Sequence, residues 1–511
     1  MIYQKIGLLL LLGLSCRTLL WHLQNWQLRE YRFDRIKAHT KTIEGTRNLF
    51  NLWFFKGLLP RPRVSGRIFM ILGIWIFIQI FIFYAIYFLF FSSNQIELFI
   101  PHFHPIFTFF TLFVFWERTI FISIALAIFL SKIPVFFAQK ILFKKAKSLI
   151  DSTNKNIIRI GITGSFGKSS TKEILVHLLQ QAFGKKAVLF SPENQNIEIS
   201  IARLILKNKT FFTSKRKKKF FICEMGAYRK GEIKKICDFV SPHLGIITGL
   251  GNQHIALFGS QKNIQHAKFE LAEAASQKVF FNANNKLLAE IFADREISAV
   301  KIPINTDSLK ISEFPDKSKF LLYGKKFTLP WPGKFFIQNA VLSLECTREL
   351  GVKKETLPDY LKKIKPLSRS LQIEKFGKTT LLKDLYSANR DGVKSALSHL
   401  KNFSGKKLFI GIPLLELGKE SNKVHQEIFE QLADLKADVF WFKKDFATLG
   451  KKICGSNFHF NPKRNQLINL LQKKLKKLGK DDAILLESRL PKEVLTIFKK
   501  HGKKTKMIIL N

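Results

Sequence analysis

Cysteine is scarce in this chain. Five occur in 511 residues (Cys16, Cys223, Cys237, Cys346 and Cys454), and no two form a C-x-x-C pair. That pattern argues against a disulfide framework and a structural zinc, and suits a reducing cytosol. Acid is scarce too: 38 Asp and Glu stand against 84 Lys and Arg, a formal net charge of +46. Such a balance fits nucleic-acid binding, an anionic membrane surface or lysine-rich genome bias. Zinc-finger spacing, an RNP-type run and a base-stacking platform are all missing, so no nucleic-acid partner is expected. No internal repeat and no small-residue cleavage site is visible, and the basic clusters at 215–219 and 473–477 read as solvated faces.

Long apolar runs are present, all before residue 140. Residues 6–15 are apolar but short, and continue past Arg17 through Leu19, Leu20 and Trp21 as a signal-like anchor or a first span. The basic stretch 29–67 is placed in the cytoplasm by the positive-inside tendency. An uninterrupted apolar run of 24 residues follows at 68–91, long enough to cross a bilayer. A second apolar region, 96–139, is broken by Glu117, Arg118 and three prolines, and reads as one long or re-entrant element. Lys140, Lys144, Lys145 and Lys147 come next, so an even number of crossings is expected between two cytoplasmic segments. Length suggests roughly three or four domains. The expected division is a helical membrane region over 1–150 with a basic cytoplasmic loop at about 23–67, then α/β domains over 151–365 and 366–511.

The centre of the chain is Ile157-Ile158-Arg159-Ile160-Gly161-Ile162-Thr163-Gly164-Ser165-Phe166-Gly167-Lys168-Ser169-Ser170-Thr171. A β-branched run reads as a buried parallel strand, and the periodic Ile174, Leu175, Leu178, Leu179 and Phe183 read as a helix ending at Gly184. Strand, glycine turn, lysine, hydroxyl and helix make a phosphate cradle: backbone N–H groups approach an anion, Lys168 reaches the β/γ-phosphates and Ser169 holds Mg²⁺. The spacing is T-G-x-x-G-K-S, shorter than the strict G-x-x-x-x-G-K-[ST].

Further strands are expected at 220–224, 244–248 and 279–282, and again at 380–383, 408–412, 439–442 and 483–487, an alternation that signals parallel sheets. Glu224 ends one strand, where ligands bind in open α/β sheets, and its carboxylate can hold Mg²⁺. His254, in Gly249-Leu250-Gly251-Asn252-Gln253-His254, is a candidate metal or phosphate ligand. Lys268 lies in Ala267-Lys268-Phe269-Glu270, which reads as the opening of a helix.

Together with Gly231-Glu232-Ile233, Pro242 and Phe258-Gly259-Ser260, these motifs resemble the central domain of the Mur ligase family, on its D-alanyl-D-alanine-adding (MurF) branch. The resemblance continues through Asp384-Leu385-Tyr386-Ser387-Ala388-Asn389, Leu415-Glu416-Leu417-Gly418 with His425, and Ser488-Arg489. It covers about residues 156–489 in the family's order. It implies a P-loop central domain and a Rossmann-like C-terminal domain, here preceded by an α-helical transmembrane region. The activity implied is an ATP-dependent, ADP-forming ligase that activates a precursor carboxylate as an acyl phosphate and joins it to an amino acid or dipeptide. Little covalent chemistry is asked of the protein in such a reaction, so cationic and metal clamps do most of the work. By the resemblance Gly164, Ser165, Gly167, Lys168, Ser169 and Ser170 bind ATP, with Asn282, Asn339, Arg369 and Asp384. Ser169 and Glu224 hold one Mg²⁺, while His254 and Lys268, the latter carbamylated, serve a second. Asn194, Asn196, Glu198, Tyr386, Asn389, Ser488 and Arg489 face substrate.

Departures sit at the rim. Phe166 stands where the family has Asn or Lys, Ile197 replaces a second Asn, and Phe335-Phe336 replaces His-Asn. Lys383, Ser387 and Arg390 replace Asp, Asn and Pro, and Leu486-Glu487 replaces Lys-Gly. The family's usual amino-terminal domain, which grips a uridine nucleotide, is unrecognisable here, since membrane sequence occupies its place. The partners expected are therefore a cell-wall precursor, an amino acid or dipeptide, and membrane lipids. A lipid-linked or polymeric acceptor and a non-catalytic ATP-binding scaffold are the alternative readings.

Overall fold

The computed structural model describes residues 2–40, 62–91, 105–152, 156–193, 195–214, 218–251, 255–314, 317–365, 372–385, 390–414, 417 and 420–502. The chain divides into two compact units, Met1–Leu142 and Phe143–Asn511.

The first unit is helical: Ile2–Leu28, Phe33–Thr40, Gly66–Phe91 and most of Pro105–Asp151. Its interior gathers Leu23, Trp26, Ile68, Ile71, Ile120, Ile124 and Ile128. Ser123 Oγ accepts from Trp75 Nε1 at 2.9 Å and from Gln79 Nε2 at 2.7 Å, tying the Gly66–Phe91 helix to the Pro105–Asp151 helix. The outer faces of those two helices expose Phe69, Phe77, Phe81, Ile122, Phe129, Phe136 and Phe137. Among the described residues one helical stretch is long and apolar enough to cross a bilayer: Thr119–Asp151, 33 residues at mean hydropathy 2.3. Gly66–Ile82 is a shorter apolar segment. The expected crossing over 68–91, the even parity and a multi-pass arrangement are therefore not supported by the described residues. Residues 105–139 of the 96–139 region belong to a single 47-residue helix that runs through Pro134, and 96–104 lie outside the described residues.

The second unit holds two six-stranded sheets and a small antiparallel one. The first sheet contains β1 (Ile157–Thr163), β2 (Val188–Phe190), β3 (Lys219–Glu224), β4 (Leu244–Ile247), β5 (Lys278–Asn282) and β6 (Val300–Ile304), in the order β2-β3-β1-β4-β5-β6. All its pairings are parallel. β1 is central, which is why it reads as a continuous apolar run. Ile160, Ile162, Ile174, Leu175, Leu178 and Leu179 are fully buried and pack with the Lys334–Glu349 helix into one core. Fully burying each such side chain is worth about 1.5–3 kcal/mol. Three short strands, β7 (Ile311–Glu313), β8 (Ser318–Leu322) and β9 (Lys325–Leu329), form the antiparallel sheet.

The second large sheet holds β10 (Gln372–Phe376), β11 (Thr379–Asp384), β12 (Lys407–Gly411), β13 (Asp438–Trp441), β14 (Phe458–His459) and β15 (Ala483–Glu487). Its order is β10-β11-β15-β12-β13-β14, and only β10 runs antiparallel. β15 returns to the middle, between β11 and β12, so the segments after these three strands leave from neighbouring positions at one edge.

Lys219 departs from its expected role in a solvated basic cluster. It is 1% exposed, and its ammonium donates to Phe211 O, at 2.5 Å, and Ser214 O, at 2.7 Å.

Candidate functional site

The glycine turn follows β1 and is shaped by close approach. Gly164 has φ +149°, and a Cβ there would lie 2.1 Å from Thr248 Oγ1. Gly167 has φ +79°, and a Cβ there would lie 2.6 Å from Asn339 Oδ1. Neither place admits a side chain. Ser165 N donates to Gly249 O at 2.8 Å, and the Thr248 hydroxyl donates to Phe166 O. The Lys168–Phe183 helix starts with Gly167 as a left-handed N-cap and no side-chain cap. Its first-turn N–H groups are thus left to an anion.

Glu224 is the centre of this site. It ends β3 opposite Ile162 of β1, and is 4% exposed. Ser169 Oγ donates to its carboxylate, 3.1 Å from Oε1 and 3.0 Å from Oε2. Asn196 Nδ2 donates to Oε1 at 3.3 Å. Lys172 Nζ lies 3.1 Å from Oε2 in a buried ion pair and donates to Ser191 O at 3.0 Å, while Ser191 Oγ accepts from Glu224 N at 2.9 Å. Burial pushes the Glu224 carboxyl up, but the Lys172 charge, then that of Lys168, and the hydrogen bonds hold it below the usual carboxylate range.

Lys168 folds back on the loop, its Nζ donating to Gly164 O at 2.6 Å. Burial lowers its pKa, with Glu224 opposing. Lys268 lies within the Gln261–Ala274 helix, which starts after the Ser260 N-cap, so it stands two turns inside the helix rather than at its opening. It is 4% exposed, and burial together with the Lys168 charge lowers its pKa to about 7. Much of it is therefore a neutral amine near pH 7. Glu270, from the same motif, serves the fold: its carboxylate accepts from Gly231 N at 2.6 Å and Lys234 N at 2.9 Å.

Asn282 and Asn339 brace the cradle. Asn282 Nδ2 donates to Thr248 O at 3.2 Å, and Asn339 Nδ2 donates to Ser170 Oγ at 2.9 Å. Ser165 Oγ donates to Gly251 O at 3.3 Å. Glu198 opens the Glu198–Lys207 helix just after Asn196. The rim departures are paired: the Phe166 ring packs on Phe335, centroids 5.8 Å apart, and covers Gly249 so closely that a Cβ there would lie 2.5 Å from the ring.

Asp384, Ser488 and Arg489 lie on the other large sheet, at the carboxyl ends of β11 and β15. Ser488 N donates to Asp384 O at 2.9 Å. Asp384 and Ser488 are buried and Arg489 is exposed. His425 has both ring nitrogens engaged, Nδ1 donating to Ser421 O at 2.7 Å and Nε2 accepting from Leu414 N at 3.0 Å, which makes it a structural residue. His254, Asn194, Arg369, Tyr386 and Asn389 lie outside the described residues. Among the described residues no group of three or more His, Cys, Asp or Glu could hold a metal, and His254 lies outside them.

Sequence reasoning missed Lys172 and Ser191. Lys172 falls four residues after Lys168, on the same helix face, and that spacing was the available signal.

A parallel α/β sheet, a phosphate-cradling turn after its central strand and a carboxylate at the end of the neighbouring strand define the class. Residues 162–347 match the model of the Mur ligase middle domain. The chain is 26% identical over 305 residues to a UDP-N-acetylmuramoyl-tripeptide–D-alanyl-D-alanine ligase of Treponema pallidum (strain Nichols), covering 58% of this chain and 64% of that one. It is 28% identical over 282 residues to the ligase of the same name from Synechocystis sp., covering 55% and 60%. It thus spans less than two thirds of these relatives' length. The fold is similar to that of MurF from Acinetobacter baumannii, with TM-score 0.63, 20% identity and coverage of 71% of this chain and 80% of that one. MurF ligase from Thermotoga maritima, solved in complex with ADP, gives TM-score 0.60, 21% identity and coverage of 72% and 84%. Residues 162–347 thus match the Mur ligase family, and the fold around them is similar to that of MurF structures.

Proposed function

We propose that this protein is an ATP-dependent, ADP-forming amide ligase of the MurF type, tethered to a membrane and acting at the cytoplasmic face on a cell-wall precursor. The observation that carries this reading is Ser169 Oγ resting on both oxygens of Glu224, directly after an uncapped helix start. A hydroxyl and a carboxylate so placed are hard oxygen donors suited to Mg²⁺.

In this reading residues 151–365 are the ATP-binding domain and 366–511 the C-terminal domain. The loop N–H groups and Lys168 bind the β/γ-phosphates, with Lys168 turning from Gly164 O to phosphate. Ser169 and Glu224 hold Mg²⁺, which when bound neutralises charge on the phosphates. Lys172 keeps the Glu224 carboxylate ionised and aimed. Lys268, a neutral amine in part near pH 7, adds to CO₂ with loss of a proton, giving a carbamate that joins His254 as a metal ligand. A precursor carboxylate takes the γ-phosphoryl group as an acyl phosphate, and an amine then displaces phosphate. Asn196, with Asn194 and Glu198, borders the phosphates. Asp384, Tyr386, Asn389, Ser488, Arg489 and the hinge residue Arg369 come from the C-terminal side.

The relatives' names supply the first substrates to try. Purified protein with ATP, UDP-N-acetylmuramoyl-tripeptide and D-alanyl-D-alanine is expected to release ADP and form the joined product. Lys168→Ala is expected to abolish both, while ATP binding without turnover for any acceptor and amine would leave only a scaffold. A lipid-linked or polymeric acceptor is the second reading. It is favoured by the 33-residue apolar helix and the exposed phenylalanines of the first unit. Comparing nucleotide-linked with lipid-linked acceptors decides between them.

A further inference from the structure

Glu487 takes no part in the phosphate site. It ends β15 in direct register with Asp384 at the end of β11, so both side chains stand on one face of the sheet. Glu487 and Ser488 are each 1% exposed, and Asp384 is 4% exposed. The Ser488 N–H and hydroxyl stand against the Glu487 carboxyl without a fully formed hydrogen bond, and no other partner reaches its two oxygens or Ser488 Oγ among the described residues. Ser488 lies against that carboxyl and is held at φ +66°, a conformation that costs a non-glycine residue energy. Burial, then the Asp384 charge, push the Glu487 carboxyl well above the usual range; the Ser488 N–H and hydroxyl oppose them, and no lysine or arginine among the described residues does. By the family resemblance a glycine belongs at this place, so the acid is a feature of this chain.

An orphaned buried carboxyl beside a second one is costly unless a cation arrives. The three open acceptors, two carboxyl oxygens and one hydroxyl, match the three N–H donors of a primary ammonium. A divalent ion would want more oxygens than this. The site lies at the carboxyl ends of adjacent central strands, where open α/β sheets take ligands. We propose that Glu487, supported by Asp384 and Ser488, holds the ammonium group of the incoming amine substrate. This rests on the ligase reading and deepens it, assigning the residues of this chain that receive the amine. Transfer of one ammonium proton to the carboxylate, N–H breaking as O–H forms, leaves the nitrogen lone pair free for attack.

The test uses the full chain with D-alanyl-D-alanine and its N-acetyl derivative, which lacks the ammonium. Calorimetry is expected to show binding of the free dipeptide and none of the acetylated one. Glu487→Gln is expected to raise KM for D-alanyl-D-alanine about tenfold or more, the usual consequence of weakening a hydrogen bond to a charged group. KM for ATP should stay unchanged. Ser488→Ala should shift KM for the amine in the same direction by less, and an unchanged or higher Tm for Glu487→Gln shows that its fold is intact. Equal binding of the two dipeptides, binding of neither, or an unchanged KM for the amine overturns the proposal. If wild-type protein releases no ADP with any acceptor the ligase reading fails, and calorimetry of the free dipeptide on wild type and Glu487→Gln still decides whether Glu487 holds an amine: binding weaker by about tenfold or more in the variant supports it and equal binding overturns it.

Discussion

Two glutamates end two central parallel strands of this molecule: Glu224 on β3 and Glu487 on β15. Both are nearly inaccessible to water. Glu224 has a buried lysine, a serine hydroxyl and an asparagine amide on its oxygens. Glu487 has no lysine and no amide on its oxygens among the described residues, only Ser488 beside them. Position on the sheet is the same and the electrostatic outcome is opposite: Lys172, acting against burial, holds one carboxyl below its usual range, while burial lifts the other. Burial alone therefore does not decide what such a carboxylate is for; its partners do.

The largest effect is expected from breaking the partnered side. Lys172→Met leaves Glu224 buried without its counter-ion, which costs about 3–5 kcal/mol. Chemical denaturation should register that loss, and adding Glu224→Gln to the Lys172→Met protein should restore much of it. A Lys172→Met protein as stable as wild type would break the comparison.

pH separates the two carboxyls by sign. Because folding depresses the Glu224 pKa, its contribution is present above the ordinary carboxylate range and lost as pH falls through the folded value. Folding raises the Glu487 pKa, so its contribution is present at low pH and lost as pH rises from the ordinary carboxylate range through the folded value. Melting profiles against pH should therefore lose part of their acid limb in Glu224→Gln and flatten on the alkaline side in Glu487→Gln. Identical profiles for the two variants would contradict this.

Lys268 sharpens the partnered site. With its pKa lowered to about 7 by burial and the Lys168 charge, it should take up CO₂ near neutral pH while exposed lysines do not. Activity should rise with added bicarbonate in wild type and show no bicarbonate response in Lys268→Arg. The smallest effect is expected at the rim: Phe166→Asn removes a contact with Phe335 worth about 0.5–1.5 kcal/mol, read as a small fall in Tm.

Much of the partnered site was legible. Glycines at 164 and 167, a β-branched run before them and an apolar helix period after them are local signals, and the structure returns the strand and the helix at those places. Glu224 was legible because it closes an apolar run. Lys172 and Lys219 were not, because lysine usually marks solvent and only tertiary packing buries these two. The Gln261 start of the Lys268 helix was missed because its Ser260 cap stands a turn and more before the motif. At the second sheet, the motifs after β11 and β15 could be read in order, but not their adjacency, because β15 inserts beside β11 only through a long-range crossover. In the first unit apolar length pointed to helices, and among the described residues Thr119–Asp151 meets the bilayer criterion while Gly66–Ile82 is shorter.

The most direct measurement is ADP release with product mass, using wild type and Glu224→Gln with ATP, UDP-N-acetylmuramoyl-tripeptide, lipid-linked acceptors and D-alanyl-D-alanine. The ligase assignment predicts ADP and one joined product in equal amounts from wild type and neither from Glu224→Gln. ATP bound but never cleaved by wild type, with every acceptor, would contradict it.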